Sequence, residues 1–157
     1  MAGMKSITDL RQRVTELKNG LESGAWLRGI IMNNEAIICD MNAEGQLYEK
    51  GVNTYGVPIM DYMPYTPYTI EIKTIKGQPT DRVTLRDTGD FHESFYVEAT
   101  DTQFVIKAHD WKTESLIRKY GRQILGLTKE NLAELIWQYI YPELLTKTKD
   151  IIYGNEL

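Results

Sequence analysis

The sequence predicts an α+β domain with helices before and after an antiparallel sheet. Apolar residues recur at helical spacing near both ends of the chain, and glycines and prolines interrupt residues 45–79. Between residues 82 and 108, short runs alternate apolar with polar side chains, as half-buried strands do. We therefore expect N-terminal helices, an antiparallel β-meander of three to four strands, and a C-terminal helix packed on the sheet.

Size and composition indicate one ordinary globular domain. The chain has 157 residues, 42% of them hydrophobic and 25% charged. A chain of this length buries roughly 70% of its unfolded surface and needs no metal or disulfide. We predict a single domain over residues 1–157, with a helical N-terminal region (1–45), an arm or loop rich in Gly, Pro and Tyr (46–80, called the arm below), and a region of β-meander and C-terminal helices (81–157).

Two helices are predicted in the N-terminal region. Ser6 followed by Asp9 resembles a capping arrangement, and apolar residues at helical spacing then continue to a stop near Gly20. Residues 22–44 contain no proline and carry a broad apolar stripe, interrupted by two asparagines at 33 and 34. This second stretch is predicted to be the longest N-terminal helix.

The arm has few features of regular helix, because glycines and prolines punctuate it throughout. Alternation of Ile70, Ile72 and Thr74 predicts a strand over residues 68–75, reached through a partly mobile loop. Tyrosine and methionine are enriched in protein interfaces. The candidate protein-contact residues of the arm are therefore Tyr55, Met60, Tyr62, Met63, Tyr65 and Tyr68.

Three further strands are predicted at residues 82–86, 91–99 and 103–108, the last two joined by a hairpin-length connection. A brief helix should follow at residues 113–120 and end at Gly121. Thr128 is predicted to cap the final helix, which Pro142 interrupts.

No template for catalysis or metal binding is present in the sequence. His92 and His109 are the only histidines, and neither stands in a zinc-binding or hydrolase motif. His92 is predicted to be a solvated strand residue, and Cys39, flanked by isoleucines, a buried thiol that has no intrachain partner. We predict no catalytic residue, no metal site and no cofactor.

The charge and hydropathy patterns weigh against two classes of partner. A net charge of -4 disfavours stable binding to nucleic acid, which depends on clustered lysine and arginine. No stretch approaches the roughly twenty apolar residues of a membrane span, and the N-terminus lacks the apolar run of a secretory signal. We expect no membrane partner and no sequence-specific nucleic-acid partner.

Two short motifs occur in a fixed order. The first, called the turn motif, lies within the sequence LRDTGDFHES at residues 85–94 and includes Phe91 as its second apolar position. The second, called the closing-helix motif, precedes the final helix and is continued by Asn131. The turn motif consists of Leu85, Asp87, Thr88, Gly89 and Ser94, and the closing-helix motif of Leu125, Gly126, Leu127 and Thr128.

With these motifs, the chain resembles bacteriophage virion morphogenesis proteins of the tail-completion type over roughly residues 46–144. The resemblance implies a small α+β subunit that joins head to tail and works by protein–protein contacts without catalysis. Its implied partners are other phage structural proteins, connector or tail subunits, and copies of itself in a ring, although the free subunit can be monomeric. The implied location is the host cytoplasm during assembly and then the virion.

Two other functions remain open from the residues. A small-ligand or carbohydrate-binding domain would use tyrosines of the arm as stacking platforms, and it predicts a concave pocket lined by Tyr55, Tyr62, Tyr65 or Tyr68. An acid/base enzyme centred on Asp87, Asp90 and Glu93 predicts that these carboxylates converge in one cleft. Asp and Thr beside Gly are more typical of a turn.

Overall fold

The computed structural model describes residues 6–154, which combine helices with one two-stranded antiparallel sheet, so the mixed helix-and-strand class is confirmed. The α-helices are α1 Ile7–Glu22, α2 Ala25–Asn33, α3 Glu35–Asp40, α4 Ile59–Tyr62, α5 Pro67–Ile75, α6 Asp90–Glu93, α7 Thr113–Tyr120, α8 Lys129–Leu135 and α9 Tyr141–Tyr153. The other elements are π-helical segments at Met41–Lys50 and Ile136–Ile140, a 3-10 turn at Arg122–Ile124, and strands β1 Phe95–Ala99 and β2 Phe104–Ala108.

The chain divides into two compact units. The first contains residues 6–34, 99–104 and 134–154 of the described chain, and the second contains residues 35–98 and 105–133. Among residues 6–154, no helix combines the length and the apolarity that crossing a bilayer demands.

The first unit packs α1 and α2 against α9. Its first helix begins as predicted, because the Ser6 Oγ accepts a hydrogen bond from the Asp9 N–H at 3.2 Å. At the other end of the unit, the Arg13 guanidinium donates to the last-turn carbonyls of α9 at Ile151 and Ile152, 3.2 and 3.3 Å away. A cation at a helix C-terminus is favoured by the helix dipole, so this contact fixes α1 beside the end of α9.

The predicted long helix over residues 22–44 is instead three helical segments that continue to Lys50. Gly24, with φ +71°, separates α1 from α2, and an added Cβ there would meet the Asp101 carbonyl oxygen. Asn34 ends α2, where its side chain bonds the carbonyl of Ile30. An Asn side chain that competes for backbone hydrogen bonds explains why the helix breaks at the asparagine pair.

The second unit is built around a core of isoleucine, valine, leucine and phenylalanine side chains. Phe91 and Phe95 pack edge to face, with ring centroids 4.9 Å apart. Strands β1 and β2 form a β-hairpin whose turn, at residues 100–103, is assigned to the first unit; there the Thr100 N–H donates to the Gln103 carbonyl at 2.8 Å. The fully buried apolar side chains of this unit are Ile38, Leu47, Ile59, Val83 and Ile124.

The prediction of a strand at residues 68–75 is wrong, because this stretch lies in helix α5. The Thr66 Oγ1 accepts a hydrogen bond from the Thr69 N–H at 3.2 Å, and Pro67 occupies the first helical turn. Threonine followed by proline is a strong helix-start signal, and it overrides the β-branched alternation that follows. The arm therefore contains two α-helices, α4 and α5.

The prediction of a strand at residues 82–86 is also wrong, because these residues form neither strand nor helix. The Thr84 N–H donates to the Tyr65 hydroxyl at 3.0 Å, so it has no strand partner, and Leu85 takes a left-handed conformation with φ +53°. Residues 90–93 form α6 after Gly89, so β1 starts only at Phe95. Within residues 6–154 the sheet consequently has two strands, and the predicted meander of three to four strands is not formed.

The C-terminal helices follow the sequence closely. Helix α7 has the predicted bounds, and the Thr128 Oγ1 caps α8 by accepting a hydrogen bond from the Asn131 N–H at 3.2 Å. Pro142 interrupts the helix as predicted: a π-helical segment precedes it, and the proline lies in the first turn of α9. The π-helical segment runs directly into α9, so the change of helix type occurs just before the residue that has no N–H to donate to the preceding turn.

Candidate functional site

All residues of the turn motif except Ser94 line a cleft of about 190 Å³ in the second unit. One wall is the turn itself, from Leu85 to Gly89, together with Phe91. The opposite sides come from α5 and the residue stretch before it, through Tyr65, Thr69 and Lys73, and from α7 and its cap, through Lys112, Leu116 and Tyr120. Residues that are far apart in the sequence therefore meet at one site.

Local hydrogen bonds hold the turn motif in place. The Thr88 hydroxyl donates to the Asp90 carboxylate at 2.7 Å, and the Ser94 hydroxyl donates to the Phe91 carbonyl at 2.8 Å. Gly89 has φ +105°, a conformation that glycine adopts without strain. The predicted turn role of Asp87, Thr88 and Gly89 agrees with this geometry, although the turn leads into α6 and joins no pair of strands.

The turn is tethered to the end of α5. Lys76 pairs with Asp87 at 2.6 Å, and the Gln78 side-chain amide donates to the Asp87 carbonyl at 3.0 Å. The Lys76 hydrogen bond holds the pKa of the Asp87 carboxyl below its usual range. Asp87 is therefore a charged, already paired group at the rim of the cleft.

Lys73 lies at the cleft and is 8% exposed, which makes it the only buried lysine, arginine, aspartate or glutamate among residues 6–154. Its ammonium donates to the Arg86 carbonyl at 3.0 Å and to the Gln78 side-chain oxygen at 3.1 Å. The same nitrogen lies 5.2 Å from the centroid of the Tyr65 ring. None of these contacts is with an anion.

Arg86 extends away from the turn motif to the first π-helical segment. It pairs with Glu44 at 2.7 Å and lies over the Tyr48 ring, 4.7 Å from the centroid. The side chain is thereby held in one orientation, with part of its surface along the cleft.

The three carboxylates of the hypothetical acid/base enzyme do not converge. Asp87 lines the cleft and pairs with Lys76, Asp90 accepts from Thr88, and neither Asp90 nor Glu93 lines the cleft. Residues 6–154 also contain no group of three or more His, Cys, Asp and Glu side chains placed to hold a metal ion.

The candidate contact residues of the arm are distributed over different environments. Tyr55 and Tyr68 are 80% and 72% exposed, whereas the Tyr62 hydroxyl donates to the Tyr120 carbonyl at 3.0 Å. Tyr65 alone among the arm tyrosines lines the cleft. Met60 and Met63 are half-buried. Of the four tyrosines named for a stacking pocket, Tyr65 is the one that lines this cleft.

The closing-helix motif is held by buried amides of the first π-helical segment. The Gln46 amide donates to the Gly126 carbonyl at 2.9 Å and accepts from the Thr128 N–H at 2.7 Å. Asn42 likewise donates to the Ile124 carbonyl and accepts from the Gly126 N–H. This motif is consequently a packing element of the second unit, since its polar backbone groups are satisfied internally.

His92 differs from its predicted solvated position. It is buried in α6, its ring lies beside those of Phe91 and Phe95, and neither ring nitrogen has a hydrogen-bond partner among the described residues. Burial lowers the pKa of His92 to about 4; the Thr84 backbone opposes this shift and the Arg86 charge adds to it. The flanking phenylalanines were the sequence signal for burial.

Cys39 is half-buried in α3, and its burial, with a smaller effect of the Glu35 charge, raises the pKa of the thiol to about 11. A thiol with so high a pKa is a poor nucleophile near neutral pH. The sequence predicted a buried thiol, and the structure shows a half-buried one of low reactivity.

Sequence reasoning missed one exposed aromatic residue of the second unit. Trp111, just before α7, is 84% exposed, and Ile75 at the end of α5 is 77% exposed. Large apolar side chains with this exposure are candidates for contact with another protein.

Compared with known proteins, the chain matches no protein-family model, no curated protein and no solved structure.

Proposed function

We propose that this protein is a structural subunit of a phage or prophage particle, acting in virion morphogenesis at the head–tail junction or tail end. In this role it joins a ring of identical subunits and contacts other phage structural proteins, connector or tail subunits, without catalysis. Assembly takes place in the host cytoplasm, and the subunit then remains in the virion. The order of the turn motif and the closing-helix motif suggests this family.

The observation that carries the proposal is the exposure of large aromatic side chains on the second unit. Tyr55, Tyr68 and Trp111 are each more than 70% exposed. Tyrosine and tryptophan are enriched at protein interfaces, where they supply contact area at a small cost in conformational entropy. A subunit that works through contacts needs such residues.

The proposal is tested on the particle produced by the genome that encodes this chain. We expect purified virions to contain the chain, with extra ring-shaped density at the junction or tail end in cryo-electron microscopy. Virions that are complete and infectious without this chain would contradict the proposal.

A point-variant test separates contact from folding. In a deletion strain, Tyr55→Ser combined with Trp111→Ser should lower the infectious titre at least tenfold, because exposed aromatics often dominate interface energy. Stability in urea should change by less than about 1 kcal/mol, since neither side chain is part of the core. Glu49→Ala and Lys129→Ala, two exposed polar sites in the same unit, serve as controls and should keep the full titre.

A small-ligand or carbohydrate-binding domain is the second candidate function, and the cleft beside Tyr65 is the observation that favours it. Its volume of about 190 Å³ is smaller than the roughly 300–1,000 Å³ of most small-molecule pockets. Exposed Tyr55 and Tyr68 do not line it. Titration with a panel of mono- and disaccharides checks this candidate, which requires saturable shifts at Tyr65 and its neighbours.

A further inference from the structure

We propose that the cleft at the turn motif receives one carboxylate side chain, an aspartate or glutamate flanked by an apolar residue, from a partner protein. The ammonium of Lys73 is the group that binds it. This inference rests on the function proposed above because it assumes a protein partner. It adds that the partner presents an acidic side chain beside an apolar one.

The charge of Lys73 is the first argument. An ammonium has three hydrogens, and two of them go to neutral oxygens, at Arg86 and Gln78. No carboxylate among residues 6–154 forms an ion pair with Lys73. The Asp87 carboxylate acts on Lys73 only at longer range, because its own ion pair is with Lys76. Buried charges in proteins are normally paired, so an external anion would complete this site.

The charge balance of the cleft is the second argument. Its lining includes Lys73, Arg86 and Lys112 against the single acid Asp87, a surplus of two positive charges, in a chain whose net charge is -4. A local surplus of this sign, inside a concave surface with apolar walls, concentrates anions. Complementary charge therefore favours an acidic occupant over a neutral one.

The apolar walls and the volume of the cleft favour a carboxylate side chain as its occupant. Leu85, Phe91 and Leu116 give the cleft apolar sides, and its volume of about 190 Å³ fits one or two side chains. The hydroxyls of Thr69 and Thr88 are already engaged, with Thr66 and Asp90 respectively. One carboxylate beside an apolar side chain matches both the cations and the apolar walls of the cleft.

Backbone strain marks the same place. Leu85 is the only non-glycine residue with a positive φ among residues 6–154, at +53°, and its side chain lines the cleft. Leucine rarely adopts this conformation, and such residues concentrate at binding sites. The strain agrees with a binding role for the turn and adds to the evidence from charge.

The test uses the full chain labelled with nitrogen-15 and two capped peptides, acetyl-Leu-Glu-Leu-amide and acetyl-Leu-Gln-Leu-amide. We expect the Glu peptide to give saturable shifts of the amides at residues 85–89 and in α5, with a Kd of about 1 mM, as befits a single contact site. The Gln peptide should bind at least fivefold more weakly. Equal binding of the two peptides, or no saturable shift with the Glu peptide, would overturn the proposal.

Variants locate the binding cation. Lys73→Met should abolish the preference for Glu over Gln, and Lys112→Met, at a half-buried position on the cleft rim, should weaken Glu-peptide binding two- to fivefold. Lys129→Met, an exposed lysine outside the cleft, should bind like the unmodified chain. If the amide spectrum shows that Lys73→Met is unfolded, Lys112→Met becomes the deciding variant. Unchanged binding of the Glu peptide to Lys112→Met would then overturn the assignment.

Inorganic phosphate and a capped single-stranded oligonucleotide are the competing probes. Tighter binding of either one than of the Glu peptide at the same residues would replace the carboxylate with a phosphate ligand and overturn the proposal. An experiment that contradicts the cleft assignment can be told apart from one that contradicts the proposed phage role. Virions that contain a chain unable to bind the Glu peptide contradict the cleft assignment alone, whereas a Glu-binding chain that is absent from virions contradicts the phage role alone.

Discussion

At the scale of the single residue, His92 shows how burial determines charge. The ring lies in the aromatic part of the core, and its burial favours the neutral form. Its pKa of about 4 in the fold lies below the value near 6.5 expected in the unfolded chain. Unfolding therefore takes up a proton between these two pH values.

The consequence is a loss of stability in acid that His92→Leu should remove. Because the unfolded chain binds more protons, the free energy of unfolding falls as the pH falls from about 6.5 to 4, by about 2–3 kcal/mol from this residue alone. Urea unfolding at several pH values measures the slope. His109→Gln, at an exposed histidine stacked on Tyr96, is the control and should retain it. Equal slopes for the unmodified chain and His92→Leu would refute this explanation.

At the scale of the element, the first π-helical segment owes its fixed position to Gln46 and Asn42. The side chain of Gln46 makes three hydrogen bonds, to the Gly126 carbonyl, the Thr128 N–H and the Asn131 side-chain amide. All three partners belong to the loop and helix that follow the 3-10 turn. The interaction connects two elements that are about eighty residues apart in sequence.

Gln46→Ala should therefore lower the free energy of unfolding by about 3 kcal/mol, because buried donors and an acceptor lose their partners. Glu49→Ala, an exposed site in the same segment, should change it by less than about 0.5 kcal/mol. Denaturant unfolding compares the two variants. A cost below about 1 kcal/mol for Gln46→Ala would mean that water replaces the lost hydrogen bonds.

The two glycines of this region provide a second test. Gly51 ends the segment with φ +62°, and an added Cβ would lie 2.8 Å from the Cβ of Arg82, so Gly51→Ala should cost about 2 kcal/mol. Gly45 has open space around it, and Gly45→Ala should stabilise the helix by about 0.5 kcal/mol. Thermal unfolding should move in opposite directions for the two variants; a shift in the same direction would contradict the geometry.

The elements also show which sequence signals are reliable. Helix α1 and the cap at Thr128 were predictable because a hydroxyl and a periodic apolar stripe occur together. Helix α5 was missed because β-branched residues alternate in it, while the Thr66–Pro67 start signal was overlooked. Short apolar runs are ambiguous between helix and strand, and helix-start residues decide between them.

At the scale of the whole molecule, the mixed class was predictable and the cleft was not. Local spacing reports which face of a helix is apolar, but the cleft brings together residues near positions 65–73, 85–91 and 112–120. Nothing in the spacing of the turn motif indicates that Lys73 lies beside it without a carboxylate partner. Distances across the fold arise from tertiary packing, which overrides local preference.

The first unit is built from three stretches that are far apart in the sequence. This separation affects when the unit can fold during protein synthesis. Its N-terminal part ends at residue 34, and its C-terminal part starts at residue 134, a hundred positions later. A ribosome adding roughly 5–20 residues per second needs about 5–20 s to cover that distance. We therefore expect α1 and α2 to lack their α9 partner for that time, with the apolar side chains of α2 exposed on the nascent chain, while all residues of the second unit have already been synthesised.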